Sequence, residues 1–154
     1  MDDPAAMTPA DLAQACARAM WRNDHASQGL GMELVHVAPG EATVAMTLTR
    51  AMTNGQGNAH GGFLFALADS AFAFACNTYN QMTVAQHCSV TYVAPGTLGD
   101  RLTATAREVT RKGRSGIYDV RVTRDDDGAT IAEFRGHSRT IDRTFLPAAP
   151  GDAG

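Results

Sequence analysis

The sequence predicts an α+β domain in which one long buried helix is covered by a largely antiparallel sheet. Three observations carry this reading. Residues 63–79 are apolar on every side and too long for an ordinary strand, which describes a helix buried all round rather than a surface helix with one apolar stripe. Six other segments have strand-like alternation, two before that helix and four after it. The connections between successive strands are local, and local connections favour antiparallel pairing. A sheet covers only one side of a helix, so a second cover is needed, and a partner subunit is the expected one.

The elements follow in order. Thr8 or Asp11 is placed to cap a first helix whose apolar positions Leu12, Ala15, Cys16, Ala19 and Met20 recur at three-and-four spacing, and which ends between Asn23 and Gly31. Residues 32–38 (Leu34, Val35, Val37) and 41–49 (Val44, Met46, Leu48) read as a strand pair split by the turn signal Pro39-Gly40. The loop AMTNGQGNAHGG, residues 51–62, leads into the buried helix. Residues 83–93, 101–110, 116–124 and 130–141 are alternating and rich in β-branched side chains, and Asp127-Gly128 marks the hairpin between the last two. Pro147 to Gly154 is a Pro/Gly/Ala tail expected to lack fixed structure. The division is an N-terminal helical segment (1–30), the main domain (31–142) and a disordered C-terminal tail (143–154).

Composition narrows the function. Thirteen Lys+Arg against 16 Asp+Glu give 13 − 16 = −3, and this mild acidity argues against the phosphate attraction on which nucleic-acid binding rests. At 44% hydrophobic and 19% charged residues, the chain is globular rather than disordered, and its 154 residues fit one domain. No apolar run approaches the about 20 residues needed to cross a bilayer, and MDDPAAMTPAD carries acid where a secretory signal carries base. A cytoplasmic protein without a membrane partner is expected. Cys16, Cys76 and Cys88 are odd in number and lack metal-ligand spacing, so they read as buried hydrophobes rather than as disulfides or a metal site.

Between Arg50 and Asp100 lie 49 residues with one formal charge, Asp69, in the middle of the buried helix. An unpaired carboxylate in apolar surroundings is costly or becomes protonated, so its presence needs a reason. Either backbone and hydroxyl groups satisfy it structurally, or it is a general base or nucleophile in a dry pocket, and composition does not choose. At the head of the same helix stands His60-Gly61-Gly62. Two glycines admit close approach to the backbone, and first-turn N–H groups with the positive end of the helix dipole suit a developing oxyanion, although a simple steric turn has the same sequence. Asp69 follows Gly61 by 69 − 61 = 8 residues, about 12 Å along a helix, whereas a base and an oxyanion donor must both reach one carbonyl. Two helices packed antiparallel about a two-fold axis would bring Asp69 of one chain towards Gly61 of the other and cover the exposed helix face as well.

The run NGQGNAHGGFLFALADSAFAFACN, followed by VTYVAPGTLGDRLTATA, KGRSGIYDVRV and FRGHSRTI, resembles the hotdog-fold acyl-CoA thioesterases of the phenylacetic-acid-degradation type, over about residues 32–141. The resemblance implies a long central helix wrapped by a curved antiparallel sheet, homodimers pairing into a homotetramer, and hydrolysis of phenylacetyl-CoA or hydroxylated aryl-CoA without metal or other cofactor. It also assigns roles. Asp69 matches the catalytic carboxylate, Gly61 the backbone donor to the thioester oxygen, and Asn54 a polar side chain that positions water or substrate. His60 and Gly62 fall in the substrate-binding turn, and Arg114 and Ser115 in a Gly-basic segment near the CoA phosphates. Some relatives carry a hydroxyl residue one helical turn after the carboxylate, where this chain has Ala73.

Other readings are weaker. Ser70, in ADSAF, lacks the flanking glycines of a nucleophile elbow. Cys76, His87 and Cys88 match no zinc spacing, and Tyr79, Tyr92 and Tyr118 read as core and pocket packing. An acyl-thioester hydratase or dehydratase would interconvert its ester without releasing CoA, and a non-catalytic acyl-CoA sensor would bind it unchanged.

Overall fold

The structure is a computed structural model that describes residues 3–148. The first helix, α1 (Pro9–Trp21), is started by Thr8, whose Oγ1 accepts the N–H of Asp11 at 3.1 Å, with Pro9 at the first helical position. Asp24 then caps a short second helix, α2 (His25–Gly29), by accepting the N–H of Ser27 at 3.0 Å. The expected single N-terminal helix is thus two, broken after Trp21.

Next come β1 (Glu33–Ala38), β2 (Glu41–Thr47), α3 (Gly61–Cys76), β3 (Thr83–Tyr92), β4 (Arg101–Lys112), β5 (Ser115–Arg124) and β6 (Thr130–Thr140). All six strands join one antiparallel sheet in the order β1-β2-β4-β5-β6-β3. Alternation places Leu102, Ala104, Ala106, Tyr118, Val120, Val122 and Phe134 on the buried face, and the sheet curves around α3. Phe72 is the centre of this contact, with ring centroids 5.7 Å from Tyr118 and 5.8 Å from Phe134. Burying each such aromatic side chain contributes roughly 1.5–3 kcal/mol. Gly136 of β6 makes the approach possible, because a Cβ there would meet the Phe72 ring at 2.7 Å.

The helix stops three residues earlier than the hydropathy suggests. Asn77 donates its side-chain amide to the carbonyls of Ala73 (2.8 Å) and Thr83 (3.0 Å), and its Oδ1 accepts the Thr83 N–H at 2.8 Å, so it turns the chain directly into β3. The N-terminal segment packs on the same C-terminal half of α3, with Trp21 against Phe74 at 5.9 Å and Ser27 Oγ 2.8 Å from Ser70 Oγ. At the C-terminus the expected disorder does not begin at residue 143: Asn80 Oδ1 accepts the N–H groups of Phe145 (3.0 Å) and Leu146 (2.9 Å), and Met82 donates to the Arg143 carbonyl. Residues 149–154 of that tail lie outside the described residues.

Two surfaces stay open. β3 is an edge strand whose Val84 and Tyr92, with the adjoining Val93, are exposed. On α3, Ala66, Asp69, Ser70 and Ala73 remain only half-buried beneath the sheet. Among the described residues, no helix is long and apolar enough to cross a membrane.

Candidate active site

The loop between β2 and α3 is held by its own backbone. Asn54 Oδ1 accepts the N–H groups of Gln56 (2.9 Å) and Asn58 (3.2 Å), and the Asn54 N–H donates to the Asn58 carbonyl at 2.8 Å. Ala59 is tied to Gly96 (2.8 Å) and His60 to Met52 (2.8 Å), which fixes the point where α3 begins. Asn54 therefore spends its side-chain carbonyl on loop shape, and its amide nitrogen has no acceptor among the described residues.

His60 is the N-cap of α3, its Nδ1 accepting the N–H of Gly62 at 3.0 Å. That bond requires Nδ1 to carry no proton. It also occupies the Gly62 N–H, so that this donor serves the turn, with His60 as its cap. Gly61 N–H has no acceptor among the described residues. An unfilled donor at the positive end of a sixteen-residue helix is suited to an oxygen that gains negative charge. Gly61 lines an open cleft of about 480 Å³ together with Asn54, Asn58, Leu64, Tyr92 and Val93.

Asp69 lies two helical turns further on, outside that cleft. Burial raises its carboxyl above the usual carboxylate range, and among the described residues no hydrogen bond or cation lowers it again. The structural explanation for a buried carboxylate, satisfaction by neighbouring donors, is not what the fold provides. Its charge acts on two thiols: Cys76, pushed up to about 12 mainly by burial, and Cys88, also raised by burial. Neither thiol is a thiolate at neutral pH, so neither is a nucleophile in place of Asp69. Ser70 turns away to Ser27, which in turn donates to Asp24 at 2.7 Å.

Arg114 and Ser115 are at the far end. They border a narrow hollow with Cys76, Tyr79 and Tyr118, beyond the C-terminus of α3, and Arg114 is paired with Asp142 at 2.7 Å. Along α3 the span from Gly61 to Cys76 is 15 residues, about 22 Å, so one chain does not join these groups to the Gly61 cleft. Arg111, in the same hairpin, is engaged structurally, its guanidinium 3.5 Å above the Tyr79 ring while Glu108 accepts from the hydroxyls of Tyr79 and Tyr118, both at 2.9 Å.

A family model described as Thioesterase superfamily matches residues 56–131. The chain is also 41% identical, over 133 residues, to the acyl-coenzyme A thioesterase PaaI of Escherichia coli (strain K12), covering 86% of this chain and 94% of that protein. The chain belongs to the thioesterase superfamily. The structure of the E. coli PaaI protein superposes with a TM-score of 0.87 at 39% identity, covering 89% of this chain and 99% of that one. A variant of the phenylacetic acid degradation protein PaaI from Thermus thermophilus superposes at 0.73 with 41% identity, covering 77% and 100%. Human acyl-coenzyme A thioesterase 13 is 30% identical over 104 residues, 66% of this chain and 74% of that protein.

The sheet and central helix are therefore those of the hotdog fold, and the enzyme class is thioester hydrolase. In this thioesterase the family match covers Gly61 and Asp69 together with the cleft residues Tyr92 and Val93. The sequence alone reads Tyr92 as packing and does not single out Asn58 or Val93. The available signal is the apolar-to-Pro transition TYVAP at the end of β3, which marks a strand leaving the sheet beside the helix start.

Proposed function

We propose that this thioesterase hydrolyses acyl-CoA esters of the phenylacetyl or hydroxylated-aryl kind to free acid and CoA, at a site completed by two copies of the chain. The observation that carries the reading is one helix bearing two unfilled groups, the Gly61 N–H at its head and the Asp69 carboxylate about 12 Å along it. Each lacks its partner among the described residues, and a two-fold axis would supply both. The half-buried stripe of Ala66, Asp69 and Ala73 and the open edge of β3 lie where such a second copy would sit. Dimers of this kind would pair into the tetramer expected from the resemblance.

In the reaction the thioester oxygen accepts the Gly61 N–H, with the Asn54 amide beside it. Asp69 of the other copy takes a proton from water as the hydroxyl oxygen bonds to the carbonyl carbon. Collapse of the tetrahedral intermediate breaks the C–S bond, and the proton passes to the departing CoA thiolate. Direct attack by an Asp69 oxygen, through an anhydride that water then opens, has the same balance. In a single turnover in heavy-oxygen water, label in the Asp69 carboxylate identifies an anhydride opened at the Asp69 carbonyl, whereas general-base attack labels the product acid alone. Partial burial favours either role, because a carboxylate that has lost water is the more reactive one. In the antiparallel arrangement the Arg114 end of one chain faces the Gly61 end of the other, within reach of a long CoA arm, and Arg139 shares a cleft of about 330 Å³ with Arg114. A hydratase reading is disfavoured by His60, whose Nδ1 is committed to Gly62 rather than to a carboxylate.

The test is thiol release from a panel of acyl-CoAs including phenylacetyl-CoA. Release with preference for aryl esters supports the proposal, and ester binding without release, or interconversion of hydroxyacyl- and enoyl-CoA, overturns it.

A further inference from the structure

Tyr92 is the last residue of β3, held in the sheet opposite Ala132 of β6. Its side chain crosses from strand to helix and donates its hydroxyl to the Gly61 carbonyl at 3.0 Å. The ring lies so close that a Cβ on Gly61 would meet Tyr92 Cζ at 3.0 Å and its Oη at 3.1 Å. The same ring forms part of the wall of the 480 Å³ cleft and is 49% exposed. Gly61 thus stands between two fixtures: His60 takes the N–H of the residue after it, and Tyr92 holds its carbonyl.

A glycine at the head of a helix, with an N–H that bonds to nothing among the described residues, is conformationally the loosest residue in the turn. An oxyanion donor stabilises a transition state only if its direction is set before the charge develops, since reorientation during the reaction would cost what the bond gains. We propose that Tyr92 is the positioning residue for the thioester oxygen site: it grips the Gly61 carbonyl and so fixes the peptide plane after Gly61, while the Phe63 N–H, donated to the His60 carbonyl at 3.0 Å, holds the plane before it, and the two together keep the Gly61 N–H directed into the cleft. Tyr92 need not touch the reacting atoms. The requirement for glycine at position 61 then has two sources, access for the substrate oxygen and contact with the Tyr92 ring. The inference rests on the proposed role of Gly61.

The experiment compares wild type and Tyr92→Phe, which keeps the ring and removes only the hydroxyl. Three readouts are needed: kcat and KM for phenylacetyl-CoA, the carbonyl stretching frequency of a bound ketone analogue in which CH2 replaces sulfur, and the affinity for a CoA thioether that has no carbonyl. The expected result is kcat lowered about threefold to tenfold, the effect of one neutral hydrogen bond, with KM and thioether affinity unchanged. The ketone band should shift back towards its frequency in water. A variant equal to wild type in kcat and in the ketone band overturns the inference while leaving thioester hydrolysis at Gly61 intact. So does an equal loss of thioether affinity and rate, which would mark Tyr92 as general packing. Failure of the wild type to release thiol from any acyl-CoA is a different result, and it overturns the functional proposal on which the inference rests.

Discussion

His60 Nδ1 accepts the Gly62 N–H at 3.0 Å, and that single bond determines which backbone donor at the head of α3 is left for substrate. Without it, Gly61 and Gly62 would be equivalent open donors on a flexible turn. His60→Ala removes the cap and should cost about 1 kcal/mol of stability, the usual value of an N-cap, seen as a lower midpoint in urea. His60→Asn restores a cap acceptor and should recover the midpoint. Activity of His60→Asn close to wild type would show that the ring acts through the turn rather than on substrate.

Asp69→Asn should abolish thiol release by several orders of magnitude while CoA-ester binding persists. Its effect on stability has the opposite sign. Because burial raises the folded-state pKa of Asp69 above its unfolded value, the native state favours the protonated form. The associated stability is fully present below the unfolded value of 3.8 and is lost as pH rises through the raised folded value. Asp69→Asn should therefore melt higher than wild type at neutral pH, and the gap should close on acidification. Equal melting temperatures under both conditions would contradict the burial.

Gly136→Ala tests the approach of helix to sheet. The added methyl would meet the Phe72 ring at 2.7 Å, so α3 must shift, at a cost of about 1–3 kcal/mol in a packed core. Urea denaturation should show the loss with an unchanged slope. A fully stable variant would mean that Phe72 can leave its position between Tyr118 and Phe134.

Much of this is legible in the sequence, and the exceptions have physical causes. The strands and the long helix show in hydropathy because each buries a periodic or continuous apolar face, and Asp69 stands out as the lone charge among 49 residues. The end of α3 does not show, since Asn77 stops the helix through side-chain bonds to Ala73 and Thr83 that no periodicity encodes. α2 is hidden because five residues carry no repeating pattern, although Asp24 is a legible cap. The pairing of Arg114 with Asp142 and the reach of Tyr92 to Gly61 join residues 28 and 31 apart in sequence, and only the folded sheet brings them together.

The open face of α3 should be an interface. Ala66→Arg and Ala73→Arg place a long cation on half-buried positions that would be covered in the dimer. Light scattering should show smaller particles for both, with thiol release lost in parallel and the strand signal in circular dichroism retained. Monomeric variants that keep full activity would refute a shared site.

The most direct measurement is complementation between two inactive chains, Asp69→Asn and Gly61→Val, unfolded together at equal amounts, refolded and assayed for thiol release. If Asp69 of one copy serves Gly61 of the other, half the dimers are mixed and each holds one intact site, so about one quarter of wild-type activity should return. If both groups act from within one chain, every site in the mixture carries a defect. Absence of any recovery, with mixed dimers shown to form by mass spectrometry, would contradict the shared site.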